Sequence, residues 1–108
     1  IMGFRTPISC SGTGVILDKG ELSRINNVNS IGLKISTERK RKAGNETVSE
    51  EDIFWIRFWS TGADIVNDIA RIGDTIWFEA ELRNKKGFEI KVKHFELYKE
   101  NSNENTVV

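Results

Sequence analysis

Residues 53–59 read I-F-W-I-R-F-W, four large aromatics in seven positions with one guanidinium among them. In an extended strand the side chains alternate between two faces. Phe54, Ile56 and Phe58 then form a purely apolar face suited to a core, while Ile53, Trp55, Arg57 and Trp59 point the other way. Trp55 and Trp59 would stand about 13 Å apart, at roughly 3.3 Å per residue, with Arg57 between them. Two outward indoles flanking a cation suit the stacking of flat, unpaired nucleobases, worth about 1–3 kcal/mol per base. The same patch suits a second packing layer, against another chain or a covering loop, because contiguous exposed apolar surface marks interaction sites in general. A helix would also bring Trp55 and Trp59 to one side. Against it, aromatic and β-branched residues dominate the run, and helix-start signals follow rather than precede it.

Cations for a nucleic-acid backbone are present nearby in sequence. Arg39, Lys40, Arg41 and Lys42 are consecutive, Lys34 lies in the apolar alternation before them, and Lys85 and Lys86 occupy a later turn. The basic run is either a solvated hairpin or a phosphate-contacting track. Closeness to the tryptophan strand favours the track, since phosphates need cations beside the stacked bases. The acids Glu46, Glu50, Glu51 and Asp52 come soon after, so charge is segregated along the chain. Sixteen basic and 16 acidic residues give no net charge. That excludes a uniformly basic surface but not a local basic groove.

Other residues carry less. Trp77 shares its outward face with Glu79 and Glu81, which repel phosphate, so it reads as an oligomer contact or a covered barrel residue. His94, the one histidine, has no Cys, Asp or second His at ligand spacing. No nucleophile–base pair, phosphate-binding loop or paired acid stands out, so the chain reads as a binder, without enzyme activity, metal or cofactor. The single Cys10 cannot form an internal disulfide and reads as an inert strand or core residue in a reducing, cytoplasmic setting. No apolar run reaches membrane-spanning length.

The elements that must position these residues follow from periodicity. The chain has 108 residues, enough for one domain. Residues 1–7 are irregular. Residues 8–18 predict a first strand with Gly12 and Gly14 as bend or bulge positions. I-N-N-V-N-S at 25–30 is turn chemistry, and Ile31, Leu33 and Ile35 alternate with polar partners in a second strand. A polar hairpin loop at 41–47, turning at Gly44 and Asn45, leads to the aromatic third strand. Ile65, Val66, Ile69, Ala70 and Ile72 then recur at helical spacing. Thr61 and Asp64 resemble a capping box before them, and Gly73 sits where a left-handed cap would end the helix. Ile76, Phe78, Ala80 and Leu82 mark a fourth strand, N-K-K-G a tight turn, and Phe88, Ile90 and Val92 a fifth. Its pattern slips to Phe95 and Leu97, which predicts a bulge near Lys93–His94. Residues 99–108 lack the apolar surface to fold and read as a flexible tail. Five strands with one helix between the third and fourth predict a closed Greek-key barrel, the OB-fold, over residues 8–98.

In order and spacing, V-I-L-D-K-G-E-L, S-I-G-L-K-I-S-T-E, I-F-W-I-R-F-W-S-T-G-A-D-I-V and R-I-G-D-T-I-W-F-E-A-E-L-R resemble the single-stranded DNA-binding proteins of bacteria and phages, and among them the divergent phage or plasmid members. The resemblance implies sequence-nonspecific binding and protection of single-stranded DNA in replication, recombination and repair. It also implies a homo-oligomer, a tetramer or dimer, and replication or recombination proteins as partners, in the cytoplasm of a bacterial host. Trp59 falls on an aromatic position of the family. Trp55 lies two residues before it, Ile53 stands where the family has another aromatic, and Arg39 or Lys40 replaces one at the end of the second strand. The family's long hairpin after the fourth strand is reduced here to N-K-K-G, leaving Lys85, Lys86 and Phe88 to act there. The acidic, aromatic tail tip that recruits partners in bacterial members is not matched by E-N-T-V-V. Two other readings stay open: an OB module that binds protein through its tryptophans, and an OB domain that binds RNA.

Overall fold

The computed structural model of the protein describes residues 4–99 and 105–107. In chain order the elements are β1 (Ile8–Lys19), β2 (Ser23–Ile25), β3 (Val28–Ala43), β4 (Glu46–Trp59), α1 (Thr61–Ile69), β5 (Thr75–Asn84), β6 (Phe88–Tyr98) and β7 (Asn105–Val107). The strands β1, β5, β6, β4 and β3 follow one another around a ring that β1–β3 pairing closes. This is the five-stranded OB barrel the sequence predicts, with the helix between β4 and β5. Two short strands lie outside the ring: β2 beside β3, and β7 beside β6.

Alternation places the core as expected. Ile31, Leu33, Ile35, Ile56, Phe58, Ile76, Phe78, Ile90, Val92, Phe95 and Leu97 are all buried inside the ring. Phe58 and Phe95 meet edge to face, with centroids 5.0 Å apart, a favoured aromatic geometry. The predicted bulge is present: Glu79 pairs with His94 and Ala80 with Val92, so Lys93 is the extra residue. It lets the inward set pass from Val92 to Phe95 without breaking the sheet. Gly12 and Gly14 are not themselves the bulge in β1, which falls between Ile16 and Asp18. Gly14 instead permits close approach, since a Cβ there would stand 2.9 Å from the Ser36 carbonyl oxygen. At Val15 the strand changes partner from β5 to β3.

Both hairpins flanking β3 are longer than the periodicity indicates. Asn26 and Asn27, with φ of 51° and 66°, form the two-residue turn that joins β2 to β3. This conformation suits Asn better than most residues. β3 and β4 stay paired out to Ala43 and Glu46, on either side of the Gly44–Asn45 turn. The polar segment expected as a loop is therefore a two-stranded arm projecting beyond the barrel.

The helix is held differently from its sequence signals. No side-chain cap forms: the N-cap is Ser60, and Asp64 accepts a 2.7 Å hydrogen bond from Asn29 Nδ2 instead of capping. That bond and Ser60 N–H donating to the Asn29 carbonyl tie the helix start to β3. The helix ends at Ile69, with Ala70 extended, so Gly73 (φ 98°) serves the following turn and Ile72 lies outside on the surface. The last helical turn has no basic residue of its own. Lys19 donates to the carbonyls of Asn67 and Ala70, and Lys99 to that of Ile69, placing cations where the helix dipole is negative. Ala63 and Val66 of α1, and Ala70 just after it, are buried in the same core cluster as the inward strand residues, so α1 closes this end of the barrel. Within the expected tail, Asn105–Val107 pairs with Glu96–Tyr98. Among the described residues no helix is long and apolar enough to cross a membrane.

Candidate nucleic-acid interface

Register decides which side chains share the outer face. Trp55 lies opposite Lys34, Arg57 opposite Gly32 and Trp59 opposite Ser30 across β3–β4. Directly opposite residues point to the same side of a sheet. Trp55, Arg57, Trp59 and Lys34 therefore stand together outside the barrel, as the alternation of I-F-W-I-R-F-W requires. Trp55 is 52% exposed. Its indole leans over Gly32, where a Cβ would come within 3.3 Å of Trp55 Cε3 and 3.4 Å of Arg57 Nη2. Arg57 Nη1 donates to Ser30 Oγ at 2.8 Å, and Trp59 Nε1 donates to Glu89 Oε2 at 2.6 Å. The platform is thus partly locked before any ligand arrives.

Beside it runs a groove of about 590 Å³ between β4 and the β5–β6 hairpin. Arg57, Trp59, Arg83, Lys85, Lys86, Phe88, Glu89 and Lys91 border it, so cations outnumber its single acid. The hairpin residues Lys85, Lys86 and Phe88 named from the sequence are brought to the tryptophans by the parallel β4–β6 pairing at Arg57↔Lys91. Arg83, Lys91, Glu89 and Asn26 also border the groove. Alternation alone turns Lys91 and Glu89 outward, but only the adjacency of β6 to β4 makes that outside the groove.

The Arg39–Lys42 run divides. Lys40 and Lys42 lie on the tryptophan face, opposite Ser49 and Thr47. From Lys34 to Lys40 is about 20 Å along the strand, and Glu38 opposite Glu51 interrupts the way. Arg39 and Arg41 are on the other face. Arg39 binds Asp52 at 2.7 Å and Glu50 at 3.1 Å, and Arg41 also pairs with Glu50. Donation to Asp52, with the Asp52 and Glu50 charges, holds the Arg39 guanidinium above its usual pKa. The structure does not bring Arg39 and Arg41 to the tryptophans; the acids that look segregated in sequence neutralise them across the hairpin. Such exposed pairs add little stability, but they occupy the cations.

One further residue departs from the sequence reading. Phe54 lies on the core-facing side yet is 43% exposed, because the barrel ends there and the arm begins. Trp77 sits half-buried on the outer face of β5, opposite Thr13 on one side and Glu96 on the other.

No protein-family model and no curated protein sequence matches the chain. Solved structures do. The chain is similar to the priB protein of Ralstonia solanacearum, with a TM-score of 0.67 at 11% identity over 81% of this chain and 93% of that one. It is similar to a Plasmodium falciparum SSB solved in complex with single-stranded DNA, with a TM-score of 0.66 at 14% identity over 90% of this chain and 97% of that one. The single-stranded DNA-binding protein of Thermus aquaticus gives a TM-score of 0.73 at 10% identity over 86% of this chain, which spans 50% of that one. The resemblance read from the sequence therefore holds at the level of the fold.

Proposed function

We propose that the protein is a non-catalytic binder of single-stranded DNA that stacks bases on Trp55 and Trp59 and holds phosphates in the adjoining cationic groove. The observation that carries this is the common outer face of Trp55, Arg57 and Trp59 beside Arg83, Lys85, Lys86 and Lys91. Stacking uses π-faces that every base has, so binding is indifferent to sequence. Engagement of three to five cations gives a log–log salt slope of about −2 to −3.5.

The OB folds of the Plasmodium and Thermus proteins support the reading by analogy of architecture. Protection of transient single strands in replication, recombination or repair is the role that suits such a binder. Self-association through the Trp77 face belongs to the same proposal.

Titration with oligo(dT) tests it. Tryptophan emission should quench, and Trp55→Ala should lose about 1–3 kcal/mol of binding free energy. Unchanged emission at low salt with saturating oligonucleotide would remove the proposal.

A further inference from the structure

The end of the barrel away from α1 is open. A cavity of about 420 Å³ lies there, bordered by Cys10, Phe54, Phe78, Leu82, Phe88 and Ile90. Its size falls in the roughly 300–1,000 Å³ range of small-ligand sites. Phe54 and Phe88 are 43% and 66% exposed at its rim. They occupy equivalent places, each three residues before the paired Arg57 and Lys91, so they stand at one level on neighbouring strands. Large aromatics left in water at a concave apolar site are costly unless something covers them.

The mouth adjoins the outer groove. β4 and β6 are bridged only at Arg57↔Lys91. Toward the mouth the two strands separate, leaving a cleft of about 240 Å³ bordered by Trp55 and Ile56 on one side and Glu89 and Ile90 on the other. Phe88 borders the outer groove, this cleft and the mouth cavity alike. Arg83, Lys85, Lys86 and Lys91 remain on the groove side, and Glu38 is the one charged residue bordering the mouth. The Glu38 carboxylate is turned to the outer face, where it accepts from Ser49 Oγ. A phosphate is therefore favoured among the groove cations over a mouth that offers it none, and the apolar lining suits an uncharged planar ring.

We propose that the barrel mouth receives one everted nucleobase of the strand held on the outer face, packed against Phe54 and Phe88 while its phosphates stay in the cationic groove. The inference rests on the single-strand reading and deepens it, adding a buried base station to the exposed platform. Aromatic packing of the base supplies the affinity, and Thr37, whose hydroxyl donates to the Asp52 carbonyl at 3.3 Å, borders the same mouth.

Cys10 makes the inference testable in the unaltered protein. It is the only cysteine, its thiol is free, and it borders the mouth cavity. Its alkylation by iodoacetamide is followed with saturating oligo(dT), with an abasic strand of equal length and with a duplex, while tryptophan emission reports the outer platform. Oligo(dT) should slow alkylation severalfold and the other two should not. Quenched emission with unchanged alkylation overturns base insertion and leaves single-strand binding standing. Equal protection by the abasic strand or the duplex also overturns it, by assigning the effect to coverage of the rim. No response in either signal removes single-strand binding itself. Independently, Phe54→Ala should weaken oligo(dT) binding about five-fold or more with no change toward the abasic strand. Equal weakening toward both overturns the inference.

Discussion

The indole of Trp55 rests on the backbone of Gly32, close enough that a Cβ at Gly32 would stand 3.3 Å from Trp55 Cε3. Gly32 is buried beneath a residue that is itself half exposed. The absence of a side chain on β3 therefore sets how an aromatic on β4 presents its face.

Gly32→Val should displace both the Trp55 ring and the Arg57 guanidinium, which lies 3.4 Å from the same point. The expected loss in oligo(dT) affinity is up to about 1–3 kcal/mol, the worth of one stacked base. Circular dichroism should show the barrel retained. Unaltered affinity in a folded variant would mean that the presentation of Trp55 is immaterial.

Glu89 holds Trp59 but brings negative charge into the cationic groove. Glu89→Gln keeps an acceptor for Trp59 Nε1 and removes the charge. Oligonucleotide affinity should rise by about 1 kcal/mol or less, the Coulomb scale for a pair at 4 Å in water. The gain should shrink as salt is added. Weaker binding at low salt would contradict this role.

The arm gives a contrast between neighbouring residues. Replacing Lys40 and Lys42 together by Ala should flatten the salt slope by up to about 1.4, two phosphate contacts at roughly 0.7 each. Replacing Arg39 and Arg41 should leave the slope unchanged, because both already face Glu50 and Asp52. Slopes from titrations at four salt concentrations decide the matter. Equal effects of the two double variants would count against the face assignment.

Tyr98 is the only tyrosine, and its hydroxyl donates to the Glu96 carboxylate. This bond, with partial burial and the nearby negative charge, favours the protonated phenol and raises its pKa above 10.0. A pKa raised on folding adds stability below the unfolded value near 10 that is lost as pH climbs through the folded value. Phenolate absorbance should therefore rise with a midpoint above 10 in the native protein, and Glu96→Gln should lower it. A native midpoint at or below 10 would show that the bond does not persist in solution.

Part of the site was legible because strand alternation is a local property. Trp55, Arg57 and Trp59 had to share a face once 53–59 was extended, and the slip after Val92 had to be absorbed by a bulge. The capping signal at Thr61–Asp64 misled for the opposite reason. Asn29, on a strand far away in sequence, offers Asp64 a partner that no local pattern reveals. Arg39 and Arg41 misled likewise, since their neutralisation depends on a register that carries β3–β4 pairing out to Ala43.

Periodicity and turn residues act through covalent neighbours, so the barrel, its core set and the outward tryptophans can be read along the chain. Which cations stand beside those tryptophans, and where the barrel lies open, follow from long-range packing. Both depend on the sideways adjacency of β4 to β6, bridged once at Arg57↔Lys91, and on which strand ends α1 covers. Such contacts join residues that are strangers along the chain, and no local pattern encodes them.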